Sequence, residues 1–187
     1  PLRSGKGSAY MGGVREPMMV MWQGVVEGGT VNDNRVIIED YFPTILEMAG
    51  VSDYTTHQTV DGKSFVDILR NPSLTRDRVC IWHYPNRWGE STDKSEGYGS
   101  YSAIMKGDYH LIYFWENQER RLYNIREDIG EQNDLAASQP ELLQALAEEL
   151  TDSLIAYGAA RPKVTATGEE VNWPKDAKYV EVVANGE

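Results

Sequence analysis

A single cysteine, Cys80, stands among the 187 residues, so no disulfide can form within the chain and redox chemistry does not reveal its compartment. Histidine is scarce as well: His57, His83 and His110 show no metal-ligand spacing, and the chain alone offers no zinc set. Basic charge is in deficit, with 18 Lys and Arg against 29 Asp and Glu, a net charge of -11. Neutralising nucleic-acid phosphates needs clustered cations, so nucleic acid is not an expected partner. No apolar run is long enough to cross a bilayer; the densest covers only residues 18–22. There is no initiator Met and no charged n-region ahead of an apolar h-region, so no signal peptide is read and Pro1 is expected to be a cut end. Hydrophobic and charged fractions of 41% and 25% do suit a globular chain, which sets disorder aside.

The first thirteen residues are rich in glycine and poor in apolar periodicity, as in a loop whose backbone must approach something closely. Met18, Met19, Val20, Met21 and Trp22, bounded by Pro17 and Gly24, predict a strand covered on both faces. Between residues 34 and 50, Ile38, Phe42, Ile45, Leu46 and Ala49 recur at helical spacing. Asp40 is the expected N-cap there, Pro43 falls in the first turn, and Gly50 suits the left-handed cap. A short helix over 65–69 precedes Asn71-Pro72, where a first unit is expected to close.

From residue 78 the pattern changes to short strands, at 79–84, 101–106, 109–115 and 121–125. The tight connections at Lys106-Gly107-Asp108 and at 116–119 predict a meander of the last three, and 85–100 reads as a long loop. A Ser138-x-x-Glu141 capping box opens the clearest helix, with an apolar stripe of Leu143, Leu146, Leu150, Leu154 and Tyr157 that ends at Gly158. That stripe is expected to pack on one face of the meander, giving an α+β subdomain. Residues 161–187 have weak periodicity, and the chain carries no internal repeat.

Some signatures fail on spacing. Gly5-Lys6-Gly7 lacks both the earlier glycine of a phosphate loop and the Ser or Thr after its lysine. Cys80 would need a base to act as nucleophile, yet His83 at i+3 points to the other face of a strand, and Val79, Ile81 and Trp82 suggest burial. Lys6 between two glycines is either a solvated loop lysine or a point charge held out to an anion. The run His83-Tyr84-Pro85-Asn86-Arg87-Trp88 leaves a strand where the two units meet, a favoured place for pockets. His83 and Arg87 suit an acidic or hydroxyl-rich substrate, and Tyr84 and Trp88 suit stacking on a sugar ring; a buried aromatic cluster with an exposed Arg87 is the plain alternative.

The string PLRSGKGSAYMGGVREP resembles the signature Pro-Leu-Arg-Gly-Gly-Lys-Gly followed by Glu-Gly-Gly-x-Arg-x-Pro of the sulfatase family. The resemblance continues through IIEDYFPTILEMAGV, DGKSFVDIL and IWHYPN, and through YSAIMKGDYHLIYF and LYNIREDIGEQNDLAASQPELLQALAEEL. It implies an α/β architecture, the C-terminal part of an alkaline-phosphatase-like sulfatase fold. Residues 1–77 would end the large α/β domain, and 78–187 would form a C-terminal α+β subdomain with a small antiparallel sheet and a packed helix.

Carried over by position, the resemblance implies that Lys6 binds a sulfate oxygen and stabilises charge developing in the transition state, making it both catalytic and substrate-binding. Arg15 matches a family arginine with either a structural or a ligand role, and Met11 stands where the family has Glu. The family's formylglycine arises in a Cys/Ser-x-Pro-x-Arg motif, which does not occur here; Ile81 and Trp82 follow Cys80. The resemblance therefore places the formylglycine, the acid/base histidine and the ligands of a divalent cation, most simply calcium, outside this chain. It leaves no metal ligand within it and implies that the fragment alone is inactive. The implied partners are a sulfated small molecule or carbohydrate and the N-terminal part of the same protein, with no membrane span. The implied location is periplasmic or secreted in a bacterium.

Two other readings remain. A phosphatase, phosphonate hydrolase or phosphoethanolamine transferase would share the architecture, and a non-catalytic carbohydrate-binding module would account for five Trp and eleven Tyr.

Overall fold

The alternating residues after position 78 form one antiparallel sheet. In the computed structural model, which describes residues 1–86 and 93–180, β1 (Cys80–Tyr84), β2 (Tyr101–Lys106), β3 (Tyr109–Phe114) and β4 (Glu119–Asn124) lie in the order β1-β2-β3-β4. All neighbours are antiparallel, so the first strand joins the predicted meander. The register sorts the side chains by face. The rows Trp82–Ala103–Ile112–Arg121 and Tyr84–Tyr101–Phe114–Glu119 point one way, and Ile81–Ile104–Leu111–Leu122 and His83–Ser102–Tyr113–Arg120 the other.

The second face receives the predicted helix, Pro140–Ala156. Leu143, Leu146, Leu150 and Leu154 share a core with Ile104, Leu111, Tyr113, Trp115 and Leu122. Burying each leucine contributes about 1.5–3 kcal/mol. Two details differ from the sequence reading. Gln139 rather than Ser138 is the N-cap, and the Ser138 hydroxyl donates to the Leu135 carbonyl, so the capping box does not form. Tyr157 leaves the stripe and is 72% exposed, because the helix has already ended before Gly158, whose φ is +64°.

The first face is covered by the start of the chain. Ala9 and Tyr10 pack there with Tyr101, Ala103, Ile112, Phe114 and Tyr123. Accordingly the chain separates into two compact units, Pro1–Glu16 with Val79–Glu187, and Pro17–Arg78 by itself.

Within the second unit, helices run over Tyr41–Met48 and Val66–Arg70, the first led in by a 3₁₀ turn at Ile38–Asp40. Asp40 does not cap the helix with its side chain. It is fully buried, and its carboxylate accepts the Ile37 and Lys63 amides and pairs with Arg78. Thr44 extends this knot, donating to the Asp40 carbonyl and accepting the Phe65 amide. The helix buries Pro43 and Thr44, whereas Ile38, Phe42 and Ile45 of the predicted stripe are exposed.

The predicted strand at 18–22 is absent. The run is not paired into a sheet, and Met19 and Met21 are 94% and 95% exposed. A strand buried on both faces needs neighbours on both edges, and no described residue of this unit forms a strand that could supply them.

Candidate functional site

Lys6 stands on a loop that folds back on itself. The Ser8 amide donates to the Gly5 carbonyl at 3.0 Å, and the Gly12 amide to that of Arg3 at 2.9 Å. A Cβ on Gly12 would lie 2.3 Å from the Arg3 oxygen, and one on Gly13 would lie 2.1 Å from the Ser8 oxygen. The close approach foreseen for these glycines is therefore made to their own loop.

The loop is anchored at its base. The Ala9 amide donates to the Gly97 carbonyl, and the Ser8 hydroxyl to that of Glu96. Tyr10 is fully buried, edge-on to Tyr123 at 5.8 Å, with the Arg3 guanidinium 3.9 Å above its ring and Arg121 donating to its hydroxyl. Ser4 carries a cost: its φ of +58° lies in the left-handed region, and its buried hydroxyl has no hydrogen-bond partner among the described residues.

From this base Lys6 reaches solvent and, with Gly7, Tyr84 and Tyr101, lines a cleft of about 170 Å³. The two tyrosine rings lie 6.2 Å apart and are tilted by 36°. Burial, helped by the neighbouring Tyr84, pushes the Tyr101 hydroxyl above its ordinary pKa, so it stays a neutral phenol. Among the described residues lining the cleft, Lys6 is the charged one, which suits an oxyanion at the ammonium and a flat or ring-shaped group against the aromatics. A larger hollow of about 230 Å³ in the second unit mixes apolar side chains with Gln23, Thr30 and Asn32, and the charged side chain among its described lining residues is Glu27, which suits no anion.

His83 lies elsewhere. It points to the helix-bearing face of the sheet, opposite to Tyr84, and the structure does not bring it to Lys6. Its Nε2 is 2.9 Å from the Ala160 carbonyl and its Nδ1 is 2.8 Å from the Ser102 hydroxyl. A carbonyl only accepts, so Nε2 carries the proton and Nδ1 accepts from Ser102, whose oxygen in turn accepts the Trp115 indole N–H at 3.0 Å. Burial also lowers the His83 pKa, in keeping with a neutral ring. Arg87 and Trp88 lie outside the described residues. Arg15 is exposed just beyond the short helix Met11–Val14, while Met11 is buried. Cys80 is buried in β1.

Glu131 was not visible in the sequence as part of this site. Its carboxylate accepts the Met11 amide at 2.6 Å and its carbonyl accepts Arg3 at 2.7 Å, so it touches the Lys6 loop on both sides. No local spacing could have indicated it, because these partners are 120 and 128 residues away in sequence.

Among the described residues, no group of three or more His, Cys, Asp and Glu could hold a metal ion. The cation implied by the sequence resemblance therefore does not fit the residues described in this chain.

A family model described as N-sulphoglucosamine sulphohydrolase, C-terminal, matches residues 5–158. A sulfatase of Formosa agariphila is 32% identical over 96% of this chain and 34% of its own length. Human arylsulfatase A is 26% identical over 90% of this chain and 36% of its own length. The chain thus spans about a third of the curated relatives it matches. Among solved structures, Ps i-CgsB in complex with k-i-k-neocarrahexaose is similar at a TM-score of 0.61 and 26% identity, covering 82% of this chain and 32% of that protein.

Proposed function

This chain belongs to the sulfatase family, as a C-terminal portion, and from that premise we propose that the protein containing it hydrolyses sulfate esters of a carbohydrate, with Lys6 holding the sulfate. The observation that carries this reading is that Lys6 is the charged member of a cleft whose described lining is completed by Gly7, Tyr84 and Tyr101. A compact ammonium beside a sulfate oxygen gains strength as negative charge builds on the oxygens, so it favours the transition state over the bound ester. Tyr84 and Tyr101 offer the adjoining ring face to a sugar, and Arg87, three residues beyond Tyr84, is assigned a contact to substrate. His83 serves from the other face by holding Ser102 and the Ala160 carbonyl in place.

A carbohydrate substrate is supported by the sugar derivative in the family description and by the oligosaccharide complex of the structural relative. The nucleophile and the cation, calcium by resemblance, belong to residues outside this chain, and no step is assigned to them here. On this reading residues 1–77 end the large α/β domain and 78–187 form the C-terminal subdomain, with residues 1–16 of the former packed in one unit with the sheet of the latter. The partner is the remainder of the same protein, and the exposed Met19, Met21, Ile38 and Ile45 of the Pro17–Arg78 unit supply apolar surface for it to cover. No described helix is long and apolar enough to cross a membrane. A periplasmic or secreted location in a bacterium follows the family resemblance.

The test is to assay the full-length protein on an aryl sulfate and on the matching aryl phosphate. Preferential turnover of the sulfate is expected; preference for the phosphate would favour a phosphatase of the same architecture.

A further inference from the structure

We propose that Glu131 is the positioning residue for Lys6, fastening both ends of the loop that carries it. The inference rests on the reading of Lys6 as the sulfate ligand.

Glu131 is fully buried, and a buried carboxylate is stable only where its oxygens are satisfied. Oε2 accepts the Met11 amide at 2.6 Å, and Oε1 lies 2.8 Å from His110 Nδ1. Its carbonyl accepts Arg3 Nη1 at 2.7 Å. Arg3 precedes Lys6 and Met11 follows it, and the Gly12 amide closes the loop back onto the Arg3 carbonyl at 2.9 Å. One residue therefore holds the two feet of the loop.

Its own position is fixed independently. His110 is a fully buried β3 residue set edge-on to Trp82 at 6.0 Å, and the Glu131 amide donates to the Asp128 carbonyl at 3.0 Å. The backbone at Glu131 has φ +51°, a left-handed conformation that a non-glycine residue adopts at a cost, here held by contacts on all sides. Glu131 touches the loop and not the cleft, so it acts through the placement of the Lys6 ammonium. Displacing a catalytic charge by about an ångström can lower rates by about 10²-fold.

The test uses the full-length protein with Lys6→Ala, Glu131→Ala, Glu131→Gln, Arg3→Gln and the Lys6→Ala/Glu131→Ala double variant. Glu131→Ala is expected to lower kcat/KM by about 10–10²-fold, mainly through kcat. Glu131→Gln should restore most of this loss, because its amide oxygen still accepts the Met11 N–H and its amide nitrogen can face His110 Nδ1 in the other tautomer. The double variant should be no worse than Lys6→Ala alone, whereas a general structural defect would add to it. Should Glu131→Ala not fold, Arg3→Gln, which leaves the buried carboxylate in place, carries the test and should show a smaller kcat loss of the same kind. Amide hydrogen exchange at Met11 and Gly12 reads the fastening without activity and should accelerate in Glu131→Ala or Arg3→Gln. Full kcat/KM in the folded variants, additive losses, or unchanged exchange would overturn the proposal. If exchange accelerates while Lys6→Ala is silent, the fastening is upheld and the sulfate reading of Lys6 falls instead.

Discussion

The Arg78 guanidinium lies 2.6 Å from the fully buried carboxylate of Asp40. That carboxylate also accepts the Ile37 and Lys63 amides, so it joins the entry of the Tyr41–Met48 helix to two distant stretches of chain. Removing one member of a buried pair strands the other, at about 3–5 kcal/mol. Asp40→Ala should therefore lower the unfolding free energy of the full-length protein by that order, seen as a lower denaturant midpoint. Arg78→Met in the same background should recover part of the loss, since it removes the stranded charge. A midpoint unchanged by Asp40→Ala would show that this pair does not hold the unit together.

Ser4 predicts a gain. A left-handed φ costs a residue with a Cβ about 1–2 kcal/mol, and a buried hydroxyl without a partner adds to that cost. Glycine relieves both but gives back about 0.4–1 kcal/mol through the freer unfolded chain. Ser4→Gly should raise stability by about 1 kcal/mol in thermal or chemical unfolding. It also restores the glycine of the sulfatase signature at this position. A loss of stability would contradict the left-handed assignment.

His83 gives stability a pH dependence of defined sign. Burial lowers its pKa in the folded state below the ordinary 6.5, so on acidification the unfolded chain takes up the proton first. Its contribution is full above about pH 6.5 and is lost as pH falls from there toward the lowered folded value. Protonation would also place an N–H at Nδ1 against the Ser102 hydroxyl, whose own proton would lose its acceptor. Unfolding followed between about pH 7.5 and 5 should show a decline that is shallower in His83→Gln. Equal slopes would mean that the ring is not held neutral.

Strands and the final helix were legible because local signals and burial agreed. Lys106-Gly107-Asp108 placed the β2–β3 turn, and the period of Leu143, Leu146, Leu150 and Leu154 named the buried face of Pro140–Ala156. The Met18–Trp22 run forms no strand, and Ile38, Phe42 and Ile45 are exposed although their spacing marks the helix Tyr41–Met48, for a shared reason. Apolar character states what a segment could bury, whereas burial depends on partners that the described unit does not provide. Lys6 is a candidate through the resemblance, since its flanking glycines alone leave a solvated loop lysine open. Glu131 was not legible, because the contacts that place it at the loop cross most of the chain and leave no spacing to read. The face of His83 followed from strand parity once Tyr84 was known to line the cleft.

If Lys6 serves catalysis rather than folding, kcat/KM for an aryl sulfate with full-length Lys6→Ala, read alongside its thermal unfolding, shows it directly. The side chain is exposed at the loop tip, so the unfolding temperature should barely change. Loss of a charge aimed at developing negative oxygens should lower kcat/KM by about 10²–10³-fold, as loss of an oxyanion donor does. Lys6→Arg should restore little, because a planar fork does not replace a compact ammonium. Near-normal kcat/KM in Lys6→Ala, or unfolding of the variant, would contradict the account and leave Lys6 a solvated loop lysine.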